Sequence, residues 1–339
     1  MPESTTAISR QWKLVTRPIG HVDDSDVVFS DVELAPIAEG EIRVRNEFVS
    51  VDPYMRGRMN DATSYIPPFE LDKPMVGGAI GRVIESRSDR HSVGDLVEHY
   101  AGWRDIAQGR AEHFSPRNEI PGVSPSVYLG PLGVGGFTAW IGLREVAHLK
   151  PGETVFVSGA AGSVGTAVAQ LARVLGASRV IGSAGSEAKV ALLKEKYGVD
   201  AAFNYRDGHV SRQLAMAAPD GIDVYFDNVG GDHLEAAIFA MNDFGRAAIC
   251  GSIASYNATE APAAPRNLYM LTTKSLTLQG FTITHFNHLA EEFAATVGPL
   301  VASGNLVWDE TIIDGIENTL EAFRGLMRGE NTGKMLVRV

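Results

Sequence analysis

The sequence predicts an α/β protein in two parts: a doubly wound parallel sheet in the middle of the chain, and a β-rich region that the first residues begin and the last complete. Three observations carry this prediction. A strand, a glycine turn and a helix follow one another from residue 154 to residue 176; strand and helix signals alternate from there to about residue 303; and short strand-like runs separated by turn signals fill residues 1–125. A chain of 339 residues, 45% hydrophobic and 21% charged, suits roughly two domains with a large buried core.

In the first region the strand-like runs are residues 41–51 (EIRVRNEFVSV), 78–84 (GAIGRVI) and the turn plus strand of 93–97 (VGDLV). Between them DPYMRGRMN, residues 52–60, is predicted to be irregular. It reads either as a surface loop anchored by Tyr54 or as a wall of a substrate pocket.

The texture changes after residue 129. GPLGVGGFTAWIGL (130–143) is glycine-rich and then helical, and KPGE (150–153) turns the chain into the next strand. That strand, with Thr154, Val155 and Val157, breaks into SGAAGSVG (158–165). Val164, Ala167, Val168, Leu171, Val174 and Leu175 then make one helical stripe, with Gly176 where a C-terminal cap belongs. Without side chains at Gly162 and Gly165 a pyrophosphate can approach the backbone, facing free N–H groups and the helix dipole. Ala160 replaces the first glycine of the fingerprint, giving AxGxxG. The motif alone is equally at home in a tight turn, and it is the legible strand and helix around it that point to a dinucleotide.

Further on, strands are predicted at 179–181, 201–203, 222–226, 247–250 and 276–283, and helices at 187–197, 232–242 and 286–303, with Gly198 as a cap. Ligands of such a sheet bind at the carboxyl ends of its strands. From about residue 308 the chain reads strand, helix, strand and ends in KMLVRV, a return to the first region.

The charge and cysteine content exclude several functions. A net charge of −11 argues against nucleic acid or an anionic membrane as the main partner, so an anionic ligand needs a local basic patch. No apolar run approaches the ~20 residues of a membrane span, and MPESTTAISR lacks the apolar core of a signal peptide, which predicts a cytoplasmic protein. The single cysteine, Cys250, rules out an intrachain disulfide, a four-cysteine zinc and a zinc held by two cysteines and a histidine. None of the nine histidines forms HExxH, and His285 and His288 read as polar residues at a helix start. No metal is expected.

An NAD site usually places an acid about 20 residues beyond the glycine turn. Here the second strand ends in GSAGS (182–186) instead. A 2′-phosphate would meet small residues there, with Lys189 in the next helix and Tyr205 and Arg206 after the third strand, which favours NADP(H) over NAD.

The stretches VDPYMRGRM, VSGAAGSVG, GSAGSEAK, AAFNY, YFDNVGG, FGRAAICGSIASYN, LQGF and NTGK span residues 51–334. In them the sequence resembles the zinc-independent medium-chain dehydrogenases/reductases, and within these the leukotriene B4 dehydrogenase/prostaglandin reductases and the alkenal or curcumin double-bond reductases. The resemblance implies a GroES-like β-barrel catalytic domain (1–125, completed by 304–339) and a Rossmann NADP-binding domain (126–303). It places Gly162, Ser163, Val164 and Gly165 on the pyrophosphate and Lys189 and Tyr205 on the 2′-phosphate. Asn228, then Cys250, Gly251, Ser252, Ile253 and Tyr256, then Phe281, Thr282, Ile283 and Asn331 would line the rest of the cofactor. It also implies a homodimer through the edge of the Rossmann sheet, with residues 276–283 as the interface strand.

The chemistry expected is addition of hydride from NADPH to the β-carbon of a small-molecule enone or enal. Without ligands for a zinc, the sequence offers no strong Lewis acid for simple alcohol oxidation. Charge gathering on the carbonyl oxygen needs a hydrogen-bond donor. Tyr256 is the first candidate, a phenol protonated at neutral pH; it could instead pack against the cofactor while solvent supplies the proton. Tyr54 is the second candidate, and the cofactor's 2′-hydroxyl could stand in for either. Asp227 reads as a structural tie for the strand end, and Cys250 as an inert small hydrophobe. Met55, Met59, Phe69, Tyr269 and Met270 form either a substrate wall or ordinary core. Two rival functions remain at this level: a quinone reductase using the same cofactor, and a non-catalytic NADPH-binding protein.

Overall fold

The computed structural model describes residues 7–260 and 262–339, so the first six residues of the stretch without a signal-peptide core lie outside it. The chain divides into two compact units: Met1–Leu129 with Glu310–Asn331 and Met335–Val339, and Gly130–Asp309 with Thr332–Lys334.

The first unit opens with a hairpin of β1 (Ala7–Leu14) and β2 (Val27–Leu34), across which Trp12 faces Phe29 with ring centroids 5.1 Å apart. The central strand β3 (Glu41–Ser50) is followed by the short helix α1 (Tyr54–Arg58), then β4 (Ala79–Ser86), β5 (Leu96–His99), β6 (Ile106–Arg110) and β7 (Phe114–Pro116). β3 pairs antiparallel with both β4 and β6, and its register with β4 shifts twice, which lets the strand curve. On one side Ile42 and Val44 meet Val83, Val97 and Phe114; elsewhere Val49 joins Met55, Trp103 and Phe323 in a second core. DPYMRGRMN is therefore not irregular as predicted. Pro53 supplies a helix-compatible φ of −59°, and α1 is held down by the buried Arg56, whose guanidinium donates to the carbonyls of Pro18 and Gly20.

The second unit runs through α2 (Val134–Ile141), β8 (Thr154–Val157), α3 (Ser163–Val174), β9 (Arg179–Ala184), α4 (Glu187–Glu195), β10 (Ala201–Asn204), α5 (Val210–Ala217), β11 (Ile222–Asp227), α6 (Gly231–Ala240), β12 (Met241–Ile249), α7 (Met270–Thr273), β13 (Thr277–Gly280) and α8 (Ala290–Ala302). Its six strands are all parallel in the order β10-β9-β8-β11-β12-β13, the 3-2-1-4-5-6 arrangement of a dinucleotide-binding sheet. The stripe on α3 buries Ala167, Val168 and Leu171, while Val174 is exposed at its end and Gly176 takes a φ of +96°.

Several boundaries differ from the prediction: the helix expected at 232–242 ends at Ala240, β12 begins at Met241 where the strand was expected from residue 247, and α5 falls where no helix was expected. Residues 276–283 are not a single strand: β13 stops at Gly280, and a 3₁₀ turn, Ile283–Leu289, delays the last helix from Phe286 to Ala290. Thr282, Ile283 and Thr284 are β-branched and read as strand, but β12, the one neighbour of β13, ends at Ile249. Phe281 N–H bonds the Ile249 carbonyl, and beyond it no strand among the described residues remains to pair with.

The chain then returns through β14 (Glu310–Asp314), α9 (Thr319–Arg328) and β15 (Lys334–Arg338), the last pairing antiparallel with β3 at Leu336, Val337 and Arg338.

Candidate functional site

The carboxyl end of β8 turns sharply into α3. Gly159 has a φ of +61°, and a Cβ on Gly165 would sit 2.6 Å from the Ala160 Cα, so the helix approaches the turn as closely as glycine allows. Ala160 in place of glycine is accommodated by a glycine elsewhere: a Cβ on Gly182 of β9 would lie 2.9 Å from the Ala160 methyl. No side chain caps α3 at Gly162, so the first amides of this twelve-residue helix (Ser163, Val164, Gly165) present the positive end of its dipole to an anion.

At the ends of β9 and β10 the structure brings Gly185, Lys189, Tyr205 and Arg206 together. The Tyr205 hydroxyl lies 2.8 Å from where a Cβ on Gly185 would stand, and the Arg206 guanidinium lies 5.8 Å from the Tyr205 ring centroid. Burial, then the charge of Arg206, lowers the pKa of the Lys189 ammonium. Arg206 is exposed and forms no ion pair with a carboxylate among the described residues, and the one acid in the first turn of α4, Glu187, is also exposed. Two cations held near one another suit a 2′-phosphate, and these residues fit NADP(H).

Asp227, at the end of β11, is a structural tie. Its Oδ1 accepts from the amides of Val229 (2.9 Å) and Gly230 (2.7 Å) and from the Tyr225 hydroxyl (2.7 Å), while burial raises its pKa. Asn228 is drawn into the same knot, donating from Nδ2 to the Ser158 carbonyl at 2.8 Å and from its amide to Ser158 Oγ at 3.0 Å. Ser158 and Tyr225 escaped the sequence analysis, because only the fold shows that β8 and β11 are neighbours.

The amides of Cys250 and Gly251 both donate to the Asp227 carbonyl and aim the next residues away from the sheet end. A 3₁₀ turn, Ile253–Ser255, then brings Tyr256 back, and its hydroxyl accepts from the Ser252 amide at 3.3 Å. A Cβ at Gly251 would come 3.2 Å from that hydroxyl. Burial raises the Tyr256 pKa and so keeps the phenol protonated. The same burial pushes the Cys250 thiol up to about 12, which makes it a poor nucleophile. Phe281, Thr282 and Ile283 are half-buried; Phe281 meets Phe226 edge-on at 6.2 Å, and Thr282 and Thr284 share a hydroxyl contact of 3.0 Å. Asn331 is buried and ends the Glu310–Asn331 segment of the first unit.

In the first unit Tyr54 begins α1, and its hydroxyl is hydrogen-bonded to that of Tyr100, just beyond β5. One turn along α1, Arg58 lies 4.1 Å from the Phe69 ring centroid and 5.9 Å from that of Tyr100. Burial and then Asp52 raise the Tyr54 pKa strongly; burial raises that of Tyr100 against the opposing effects of its bond to Tyr54 and of Arg58. Tyr100 is the functional candidate that the sequence analysis missed. The alternation through β5 marks His99 as inward and Tyr100 as outward, but it does not say that α1 waits there.

Four of the five residues read as a substrate wall or core belong to the core: Met55, Met59 and Phe69 in the first unit and Met270 in the second, while Tyr269 is exposed. His285 and His288 sit exposed on the 3₁₀ turn. Among the described residues no group of three or more His, Cys, Asp or Glu could hold a metal ion, and no helix is long and apolar enough to cross a membrane.

Two family models match the chain, one described as the N-terminal domain of oxidoreductase over residues 10–116 and one described as zinc-binding dehydrogenase over residues 163–302. The NADPH-dependent curcumin reductase of Escherichia coli is 38% identical over 336 residues, covering 98% of this chain and 97% of that protein. The NADP(+)-dependent 2-alkenal reductase of Nicotiana tabacum is 39% identical, covering 94% of each. The crystal structure of CurA in complex with NADPH from Vibrio vulnificus superimposes with a TM-score of 0.92 at 37% identity, covering 97% of this chain and 99% of that one.

Proposed function

This chain belongs to the zinc-independent medium-chain dehydrogenases/reductases, in their group of prostaglandin, alkenal and curcumin double-bond reductases, and from that premise we propose how its residues divide the work. It is an NADPH-dependent reductase of the carbon–carbon double bond of α,β-unsaturated ketones and aldehydes. The observation that carries the assignment of roles is the state of Tyr256: a phenol kept protonated by burial, its oxygen already engaged by the Ser252 amide, so that its own proton is available to an acceptor.

The open end of α3 at Ser163, Val164 and Gly165 takes the pyrophosphate, and Lys189, Tyr205 and Arg206 take the 2′-phosphate. Asn228, Cys250, Gly251, Ser252, Ile253, Phe281, Thr282, Ile283 and Asn331 line the remainder. When bound, NADPH supplies the hydride that reaches the substrate's β-carbon. Tyr256 then donates a hydrogen bond to the carbonyl oxygen on which charge gathers, and the Gly251 backbone leaves room for that hydroxyl. Tyr54 is the proton source for the α-carbon. The protein works in the cytoplasm as a homodimer. Support for the pairing comes from β13, which among the described residues is an edge strand with β12 alone beside it and with Thr277, Gln279 and Gly280 exposed.

The test is NADPH consumption by purified protein on a panel of enals, aryl enones and quinones, with NADH in parallel and size-exclusion chromatography for the dimer. Selective enone turnover with NADPH is expected. Preferential turnover of quinones would replace the reading with the quinone reductase, and cofactor binding with no turnover would move the protein to the binding class.

A further inference from the structure

Two tyrosine hydroxyls in the first unit touch one another, Tyr54 half-buried at the start of α1 and Tyr100, 44% exposed, just beyond β5. Either oxygen can donate in this contact. Arg58 flanks Tyr100 from the next turn of α1, and its own guanidinium is fixed by donation to the Pro67 carbonyl at 2.9 Å and by the Phe69 ring. The nearby acid, Asp52, is engaged by the Ser50 hydroxyl. A hydroxyl in contact with another hydroxyl, one more buried and one open to water, beside a fixed cation, is the arrangement of a proton wire.

We propose that Tyr100 is a positioning residue for the reduction, which orients the Tyr54 hydroxyl and returns to it, from water, the proton that Tyr54 gives to the substrate. This rests on the assignment of Tyr54 as proton source. The bookkeeping of atoms is simple. As the substrate's α-carbon–hydrogen bond forms, the Tyr54 O–H bond breaks; the Tyr100 proton passes to the Tyr54 oxygen; and a water O–H bond breaks to reprotonate Tyr100, the hydroxide left being neutralised by a proton from the buffer. No electrons move beyond the hydride already transferred. The direction follows from the surroundings. Asp52 disfavours and Arg58 favours a phenolate at either oxygen, but burial weighs more heavily on Tyr54 while Tyr100 is 44% exposed, so the negative charge settles better on the outer phenol.

The test compares the whole protein with Tyr54→Phe, Tyr100→Phe and the double variant, reading kcat, the KM for enone, the solvent deuterium isotope effect on kcat, and melting temperature. Tyr100→Phe keeps the ring and its packing. It is expected to lower kcat by about tenfold, to enlarge the solvent isotope effect, and to leave enone KM and melting temperature close to wild type. The double variant is expected to be no slower than Tyr54→Phe alone, because the outer phenol acts only through the inner one. A small general acid such as imidazolium should restore part of the rate of Tyr100→Phe. Independent, multiplying losses in the double variant, or an unchanged kcat and isotope effect in Tyr100→Phe, would overturn the relay while enone turnover by the wild type leaves the reductase standing. Absence of enone turnover in the wild type would overturn both.

Discussion

Two polar clusters, one in each unit, are wired in opposite ways. Around Asp227 the partners are mostly backbone: the Oδ1 atom is filled by two amides and a tyrosine hydroxyl, Asn228 is tied to Ser158, and the Asp227 carbonyl holds the amides of Cys250 and Gly251. Around Tyr54 the partners are side chains whose donor and acceptor roles can exchange. A backbone amide can only donate, so the first cluster has one stable pattern and fixes geometry. A pair of hydroxyls has two patterns, interchanged by rotation of the O–H groups, so it can re-form after a proton is given up at one end and taken in at the other. The contrast separates a rigid scaffold at the strand ends from a group free to rearrange, as the proposed proton source must be. Tyr256 shares a feature of each: its oxygen is held by an amide as a scaffold group would be, while its proton is left to donate.

The sharpest way to break the contrast is to remove the scaffold. Asp227→Ala strands two amides at the end of β11 and is expected to cost on the order of 4 kcal/mol of stability by denaturant unfolding. A loss below about 1 kcal/mol would mean that the knot is decoration. Next comes acid. Burial lowers the pKa of His99 to about 3 and of His233 to about 4, one histidine in each unit, each from 6.5. From pH ~6.5 down to ~4 for His233 and ~3 for His99 the unfolded chain binds protons that the folded chain refuses, so stability falls as pH drops through this window, by on the order of 3 kcal/mol for each full shift. His99→Gln and His233→Gln should each flatten the pH dependence of the melting temperature, and a profile unchanged in both would sink the assignment. Third, Tyr256→Phe leaves the fold intact and is expected to lower kcat roughly thirtyfold, about 2 kcal/mol in the barrier, with NADPH binding by fluorescence little changed. Equal losses in binding and turnover would return Tyr256 to the scaffold.

The two clusters also differ in how far the sequence reveals them. The parallel sheet is legible because strand, glycine turn and helix are contiguous, and because Val164 to Leu175 carry a clear helical stripe. The juxtaposition of Lys189 and Tyr205 near Gly185 is anticipated by the resemblance and by the missing acid at the end of the second strand. Ser158 and Tyr225 are not legible, since the Asp227 knot needs β8 and β11 side by side, residues 67 positions apart in the chain. Tyr100 is hidden for the same reason, 46 positions from Tyr54. The error at residues 276–283 has a different origin: β-branched Thr282 and Ile283 have strand propensity, but the absence of a neighbour beyond Ile249 decides against a strand. Met55 and Met59 leave both readings open, since methionine suits an adaptable pocket and an irregular core equally well, and the fold decides for the core.

The smallest predicted effect tests whether the second unit holds its cofactor by geometry or only by charge. Lys189 is half-buried in the first turn of α4, and Arg206 is exposed, next in sequence to Tyr205. An exposed cation is screened by salt and makes a looser contact than a partly buried one. Lys189→Ala is therefore expected to raise the KM for NADPH about tenfold and Arg206→Ala about threefold, with the KM for NADH changed in neither. Raising the ionic strength should shrink the Arg206 effect first. If the two substitutions weaken NADPH equally and respond equally to salt, the site acts as a diffuse positive patch, and the placement of Tyr205 against Gly185 contributes nothing to cofactor choice. If Lys189 dominates and its effect persists in salt, the strand ends of this unit are as firmly built for the 2′-phosphate as the Asp227 knot is for the backbone.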